Sequence, residues 1–313
     1  MKNFIFYLLA IFMMIFVAGC KTQSTPASPM DVVEGSFPPF LHEGHRGARG
    51  LMPENTIPSM IKAIEEGSNV IELDVHVSKD NRVVVAHDPY INREFSLMPN
   101  GEEIPKEDEK KYLIYQMDYS EIRQFDVGSK FRSEYPDQKK MKAYIPLLGE
   151  LIDSVEQFIS DKKYPSVIYN IEVKAEVDKD GFYQPTPEKF INLVMEVVKG
   201  KNLNNNRYYL QSFDIRQIQQ VNKNYPDVVT GFLTSNKDMT FEENLQKIGF
   251  IPQIYSPNFN LAKPELIEKS HQKGMKFVPW TVNEITDMER LIQMGVDGII
   301  TDYPDRLTDV LRK

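Results

Sequence analysis

Residues 70–77 read VIELDVHV. Ile71, Leu73 and Val75 alternate with Glu72, Asp74 and His76, so a strand here has one apolar face and one carrying two carboxylates. VIYNIEVK at 167–174 repeats the pattern, with Glu172 and Lys174 on one side and Ile171 and Val173 on the other. Further β-rich runs are RYYLQSF (207–213), VVTGFL (228–233), KFVPWTV (276–282) and DGIIT (297–301), and stretches of helical spacing separate them. Thr186-Pro187-Glu188 opens one such helix, along which Phe190, Leu193, Val194, Val197 and Val198 recur. Asn283 is expected to cap another, carrying Ile285, Met288, Leu291 and Ile292 and stopped by Gly295, while Gly274 ends a helix that begins near Pro264. Strand–helix alternation through the whole domain predicts a parallel sheet. Room for about eight such units favours a TIM (β/α)₈ barrel. An open doubly wound sheet is disfavoured, because the chain lacks a nucleotide-binding glycine fingerprint.

Two segments depart from the alternation. VHVSKDNRVVVAHD reads as a hairpin turning near Lys79-Asp80-Asn81. Residues 90–145 then form a polar, lysine-rich insertion after the second strand unit, ahead of a helix around Leu147–Ile159. In a barrel that insertion would sit over the mouth, as a functional cover or as a solvated loop.

The amino-terminal region has a different character. Lys2 precedes an apolar run from Phe4 to Val17, then Ala18-Gly19-Cys20, the pattern of a signal peptide over 1–19. VAGC also matches the bacterial lipobox, and Cys20, the chain's only cysteine, stands where that motif requires lipidation. Residues 20–39 then read as a lipidated cysteine and flexible tether, and 40–313 as the barrel domain. The expectation is export and attachment to a bacterial membrane through Cys20, with the domain on the periplasmic or cell-surface side. A net charge of −8 argues against a nucleic-acid partner but allows a small anion held by a few local cations.

The chemistry-bearing residues converge on strand ends. Glu72, Asp74 and Glu172 would point together into a barrel mouth, where neighbouring acids repel unless a cation or proton lies between them. Such a set suits a hard divalent cation, Mg²⁺ or Ca²⁺; an ion-pair network closed by Lys174 is the alternative. His87 ends VVVAHDP, with Asp88 placed to fix its ring, and His45 stands in EGHRGARGLMPENT (43–56) beside Arg46 and Glu54. His42, His76 and His271 are read as structural or surface residues, although His76 shares the face of Glu72 and Asp74. Phe213 and Trp280, near strand ends, could pack against a ligand or simply fill the barrel.

HRGARGLMPENT followed by ELDVHVSKDNRVVVAHDP resembles the signature of the glycerophosphodiester phosphodiesterase family, with fainter echoes in IEVK (171–174), QSFD (211–214), WTVN (280–283) and DGIITDYP (297–304). The resemblance implies a TIM barrel that hydrolyses glycerophosphodiesters to glycerol phosphate and an alcohol with a divalent metal. It implies His45 and His87 as the acid/base pair, Arg46 and Lys174 on the phosphate, and Glu72, Asp74 and Glu172 on the metal. Glu54 matches a position that either ligates the metal or supports its ligands. The attacking group would be the substrate's own glycerol hydroxyl, giving a cyclic phosphate that water opens. Rival readings are a phospholipase D-like or sphingomyelinase D-like enzyme on the same fold, and a non-catalytic surface lipoprotein that binds glycerophosphodiesters.

Overall fold

The computed structural model describes residues 37–313; the expected signal peptide, Cys20 and most of the tether lie outside them. Its strands are β1 (Leu41–Gly44), β2 (Val70–Val77), β3 (Val83–Val85), β4 (Ile168–Val173), β5 (Tyr208–Ser212), β6 (Thr230–Thr234), β7 (Ile254–Pro257), β8 (Lys276–Phe277) and β9 (Gly298–Thr301). All pair in parallel in the order β8-β7-β6-β5-β4-β2-β1-β9, except β3, which turns back antiparallel on β2 as the hairpin reading expects. The ring closes beyond β8 through backbone bonds from Asp297 N to Phe277 O, Ile300 N to Pro279 O and Val282 N to Ile300 O. The result is a nearly closed barrel of parallel strands wrapped in helices, the TIM architecture expected from the alternation.

Helices follow the strands: α1 (Ile57–Glu65), the short α2 (Tyr119–Ile122), α3 (Leu148–Lys162), α4 (Pro187–Gly200), α5 (Ile215–Asn224), α6 (Phe241–Ile248), α7 (Pro264–Gln272), α8 (Ile285–Gln293) and α9 (Pro304–Leu311). Their ends have local causes. Thr56 caps α1 by accepting from Ser59 N, and Thr240 with Glu243 forms a reciprocal capping box on α6. Proline in the first turn starts α1, α4, α7 and α9. The cap expected at Asn283 is not made: α8 starts from Glu284, and the Asn283 amide is drawn away to Asp302.

Strand alternation sorts side chains into two cores. Outward residues of β2, β4 and β5, among them Ile71, Leu73, Tyr169, Ile171 and Leu210, pack against the helices. Inward, Leu41, Val70, Ile168, Tyr209, Ile254 and Val278 fill the barrel floor, and Phe37 packs against Tyr209 at a tilt of 57° with ring centroids 6.0 Å apart. Packing among the described residues therefore includes Phe37, inside the segment read as tether. Higher in the barrel the inward residues turn polar. Glu43 accepts from Tyr209 Oη and Asn170 Nδ2, and above it sit Glu72, Glu172 and Gln211. The insertion has a core of its own, including Ile91, Ile104, Ile114, Ile122, Phe125 and Ile145. Among the described residues no helix is long and apolar enough to cross a membrane.

Candidate active site

The mouth is built from the carboxyl ends of β1, β2, β4, β5 and β9. Just past β1 the backbone turns sharply: Arg46 takes φ 51° and Gly47 φ 82°, where a Cβ on Gly47 would come within 2.5 Å of the Ser59 backbone. The turn aims the Arg46 amide at Glu72 Oε2 (2.7 Å) and swings its guanidinium onto Glu54 Oε1 (2.7 Å) and towards Asp74 Oδ2 (3.4 Å). Asn55, also at positive φ, exchanges two hydrogen bonds with Asp74: its Nδ2 donates to Oδ2 (2.8 Å) and its Oδ1 accepts from the Asp74 amide (3.1 Å).

Glu72, Asp74 and Glu172 each present a carboxylate oxygen to a common point, these oxygens lying within 4.8 Å of one another, and all three side chains are buried. Burial, then the negative charges of Asp74 and Glu172, push Glu72 well above the usual carboxylate range. Burial works against ionisation of Asp74 too, but His87, Arg46 and Lys174 outweigh it and hold Asp74 well below its ordinary value. Burial raises Glu172, tempered by Lys174. Asp74 Oδ1 is buried without a hydrogen-bond partner. An all-carboxylate donor set with an orphaned oxygen, deep in a polar pit, fits a hard divalent cation. Lys174 donates to Glu172 Oε1 at 2.7 Å and lies 3.7 Å from Asp74 Oδ1, so the ion-pair closure expected as the alternative is also present.

The two histidines flank this pit. His45 Nδ1 lies 2.7 Å from Asp302 Oδ1 and its Nε2 lies 4.0 Å from Glu72 Oε2. Burial, then the Arg49 charge, pull His45 down to about 4, against the opposing pull of Asp302. His87 pairs through Nδ1 with Asp88 Oδ1 at 3.1 Å, as its neighbour in sequence suggests. Together with Arg46, Lys174, Gln211, Phe213 and Trp280 they surround a hollow of about 350 Å³. Phe213 meets Trp280 edge-on at 5.2 Å, and Trp280 Nε1 donates to Ser256 O, so both aromatics form its wall. Of the remaining histidines, His76 is pinned to the His87 carbonyl (3.0 Å), His42 is fully buried, and His271 pairs with Asp297 at the surface.

Several site residues escape a reading of the sequence. Asp302 holds His45 while accepting from Nε and Nη2 of Arg49 (2.9 Å each) and from the Asn283 amide (2.8 Å). The signal was DGIITDYP, where the acid follows a strand end. From the insertion, Arg132 pairs with Glu54 Oε2 and lies over the rings of Phe95 and Tyr135, each at 4.9 Å, while Arg49 covers Tyr135 at 4.8 Å. Burial alone would raise Glu54, but Arg46, Arg49 and Arg132 hold it at about 2. Glu54 is therefore an anchor for arginines rather than part of the carboxylate trio.

A parallel barrel with an acid trio, two imidazoles and fixed cations at its carboxyl-end mouth defines an α/β-barrel protein whose trio could hold a metal ion beside those cations. The chain belongs to the glycerophosphoryl diester phosphodiesterase family, whose model matches residues 45–306. It is 33% identical over 275 residues to a glycerophosphodiester phosphodiesterase of Caldanaerobacter subterraneus, covering 86% of this chain and 96% of that one. Among solved structures it resembles a protein of Silicibacter pomeroyi provisionally described as a glycerophosphoryl diester phosphodiesterase (TM-score 0.78, 28% identity, 88% and 95% covered). It shares its fold with an Oleispira antarctica phosphodiesterase solved with the product sn-glycerol-3-phosphate (TM-score 0.68, 23% identity, 87% and 96% covered).

Proposed function

We propose that this chain hydrolyses glycerophosphodiesters to sn-glycerol 3-phosphate and an alcohol by paired-histidine catalysis. The observation that carries the reading is the placement of His45 and His87 around one hollow that Glu72 and Glu172 of the carboxylate trio also line and whose walls hold Arg46 and Lys174. Asp302 accepts the Nδ1 proton of His45, which leaves Nε2 as the lone-pair nitrogen facing the hollow. His45 then takes the proton from the attacking glycerol hydroxyl as its oxygen bonds to phosphorus. His87 gives a proton to the departing alcohol oxygen as the other P–O bond breaks. In the second half the roles reverse: water adds to the cyclic phosphate and the ring P–O bond opens. Arg46, fixed by Glu54, and Lys174 balance the charge that builds on the phosphoryl oxygens. A divalent cation held by Glu72, Asp74 and Glu172, of the Mg²⁺ or Ca²⁺ type, would supply further neutralisation of those oxygens.

The test is turnover of a glycerophosphodiester panel, read by coupled detection of glycerol 3-phosphate, for the wild type, His45→Ala and His87→Ala. Loss of turnover in both variants with unchanged thermal melts is expected. Near-normal turnover in either sinks the assignment. Lipid phosphate in place of glycerol phosphate would instead make the chain phospholipase D-like. The lipobox further supports export and anchoring through Cys20, which labelled fatty acid retained by wild type but not by Cys20→Ala would test.

A further inference from the structure

The hollow around the two histidines has a neighbour. Beyond His87 lies a second one of about 230 Å³, and the two share His87, Glu172, Lys174 and Phe213. His45, Arg46 and Arg49 line only the first; Asp88, Glu176 and Gln184 line only the second. In an in-line displacement the incoming and outgoing oxygens stand on opposite sides of phosphorus. With His45 serving the incoming hydroxyl, the outgoing alcohol crosses the shared rim at His87 and enters the second hollow.

The chemistry of that second hollow is one-sided. No arginine lines it, and its lysine, Lys174, is already committed to Glu172 and Asp74. Asp88 and Glu176 contribute carboxylates, and among the described residues the Glu176 side chain, exposed on the loop after β4, has no hydrogen-bond or ion-pair partner. Phe213 gives the hollow an aromatic face, one that already attracts an ammonium group, Lys174 Nζ at 5.6 Å from the ring centroid. His76 also lines the hollow; it is 2% exposed, its Nε2 is held by the His87 carbonyl, and its Nδ1 has no partner. With the ring proton on Nε2, Nδ1 is a free acceptor. Carboxylates, an aromatic face and a buried acceptor all favour a donor-rich, positively charged group over an anion.

We propose that this second hollow is the subsite for the leaving alcohol, and that it selects an alcohol bearing an ammonium group, with Glu176 as the specificity-determining carboxylate. The inference rests on the phosphodiesterase reading above.

The experiment compares two diesters of glycerol phosphate, one with ethanolamine and one with a second glycerol as the leaving alcohol, in the wild type, Glu176→Gln and Glu176→Lys. The wild type should favour the ethanolamine diester in kcat/KM. Glu176→Gln should lower kcat/KM for that diester about fivefold, the scale of one partly exposed charge contact, while leaving the glycerol diester within about twofold. Glu176→Lys should widen the loss, and added salt should erode the wild-type preference. Equal effects of the variants on both diesters, or none on either, overturn the subsite while leaving the phosphodiesterase reading intact. A wild type that cleaves neither diester overturns that reading and the subsite with it.

Discussion

Glu54 is the residue whose removal should tell most about how the mouth is held together. It is 5% exposed, 2.7 Å from Arg46 Nη1 and 4.0 Å from Arg49 Nη1, and in direct contact with Arg132. Glu54→Gln keeps the shape, removes the charge, and turns one acceptor into a donor facing guanidinium donors. A charge pair at about 4 Å is worth about 4 kcal/mol at an effective dielectric near 20, and breaking a buried pair from one side costs about 3–5 kcal/mol. For a domain of this size that corresponds to a fall in Tm of about 6–20 °C. Arg132→Met should also destabilise, since Glu54 then loses one of its partners. In the double variant the Arg132 guanidinium is gone together with the carboxylate it needed, so the combined loss should fall short of the sum by about 1–3 kcal/mol. Urea denaturation of the four proteins measures the cycle. Costs that add within about 0.5 kcal/mol would refute the coupling, and a Glu54→Gln melt indistinguishable from wild type would refute the anchoring itself.

Three further outcomes follow from the same geometry. Asp302→Asn should lower kcat by about two orders of magnitude or more with a smaller change in KM, because it releases the His45 tautomer; stopped-flow or steady-state kinetics measure both. Chelation should abolish turnover and hard divalent cations restore it, and full activity after exhaustive chelation would leave Glu72, Asp74 and Glu172 as a purely ionic network. Glu43, buried beneath the site, is raised by burial to about 7 despite donors from Tyr209 and Asn170, so the folded chain keeps a proton there that the unfolded chain loses near 4.5. The associated stabilisation is complete below about pH 4.5 and vanishes as pH rises through about 7, a swing of about 3 kcal/mol. Glu43→Gln cannot ionise; its stability relative to wild type should therefore rise between pH 5 and pH 8 in parallel urea titrations, and a constant difference would count against the shifted carboxyl.

The fold was legible where burial imposes a simple period. Strands with continuous apolar runs announce themselves, as does the hairpin at Lys79-Asp80-Asn81, whose register pairs Val77 with Val83. β1 and β7 do not, because LHEG and IYSP are short and mix polar residues into buried positions. β8 is cut to Lys276–Phe277, since Pro279 lacks the amide a regular ladder needs; the rest of KFVPWTV still closes the barrel through single backbone bonds. Asn283 shows the limit of local rules. Its sequence neighbours favour a helix cap, yet a buried carboxylate 19 residues away in Asp302 offers a stronger partner than a solvent-exposed amide. Of the site, residues that end strands could be foreseen, because alternation fixes their face. Arg132 and Tyr135 could not: they meet Glu54 and Asp302 across 78 and 167 residues, and their approach depends on how the insertion packs its own core.

The charges of the mouth explain why so many groups of both signs are gathered there. Five buried carboxylates, Glu54, Glu72, Asp74, Glu172 and Asp302, face four cations, Arg46, Arg49, Arg132 and Lys174. The arginines are spent on Glu54 and Asp302, which hold them rigid around His45, and this leaves the trio on the strand ends only partly balanced, by Lys174 and the edge of Arg46. Burial raises Glu72 and that imbalance raises it further; the imbalance is what a divalent cation would relieve. With such an ion in place the mouth would carry one net positive charge, the complement of a singly charged phosphodiester.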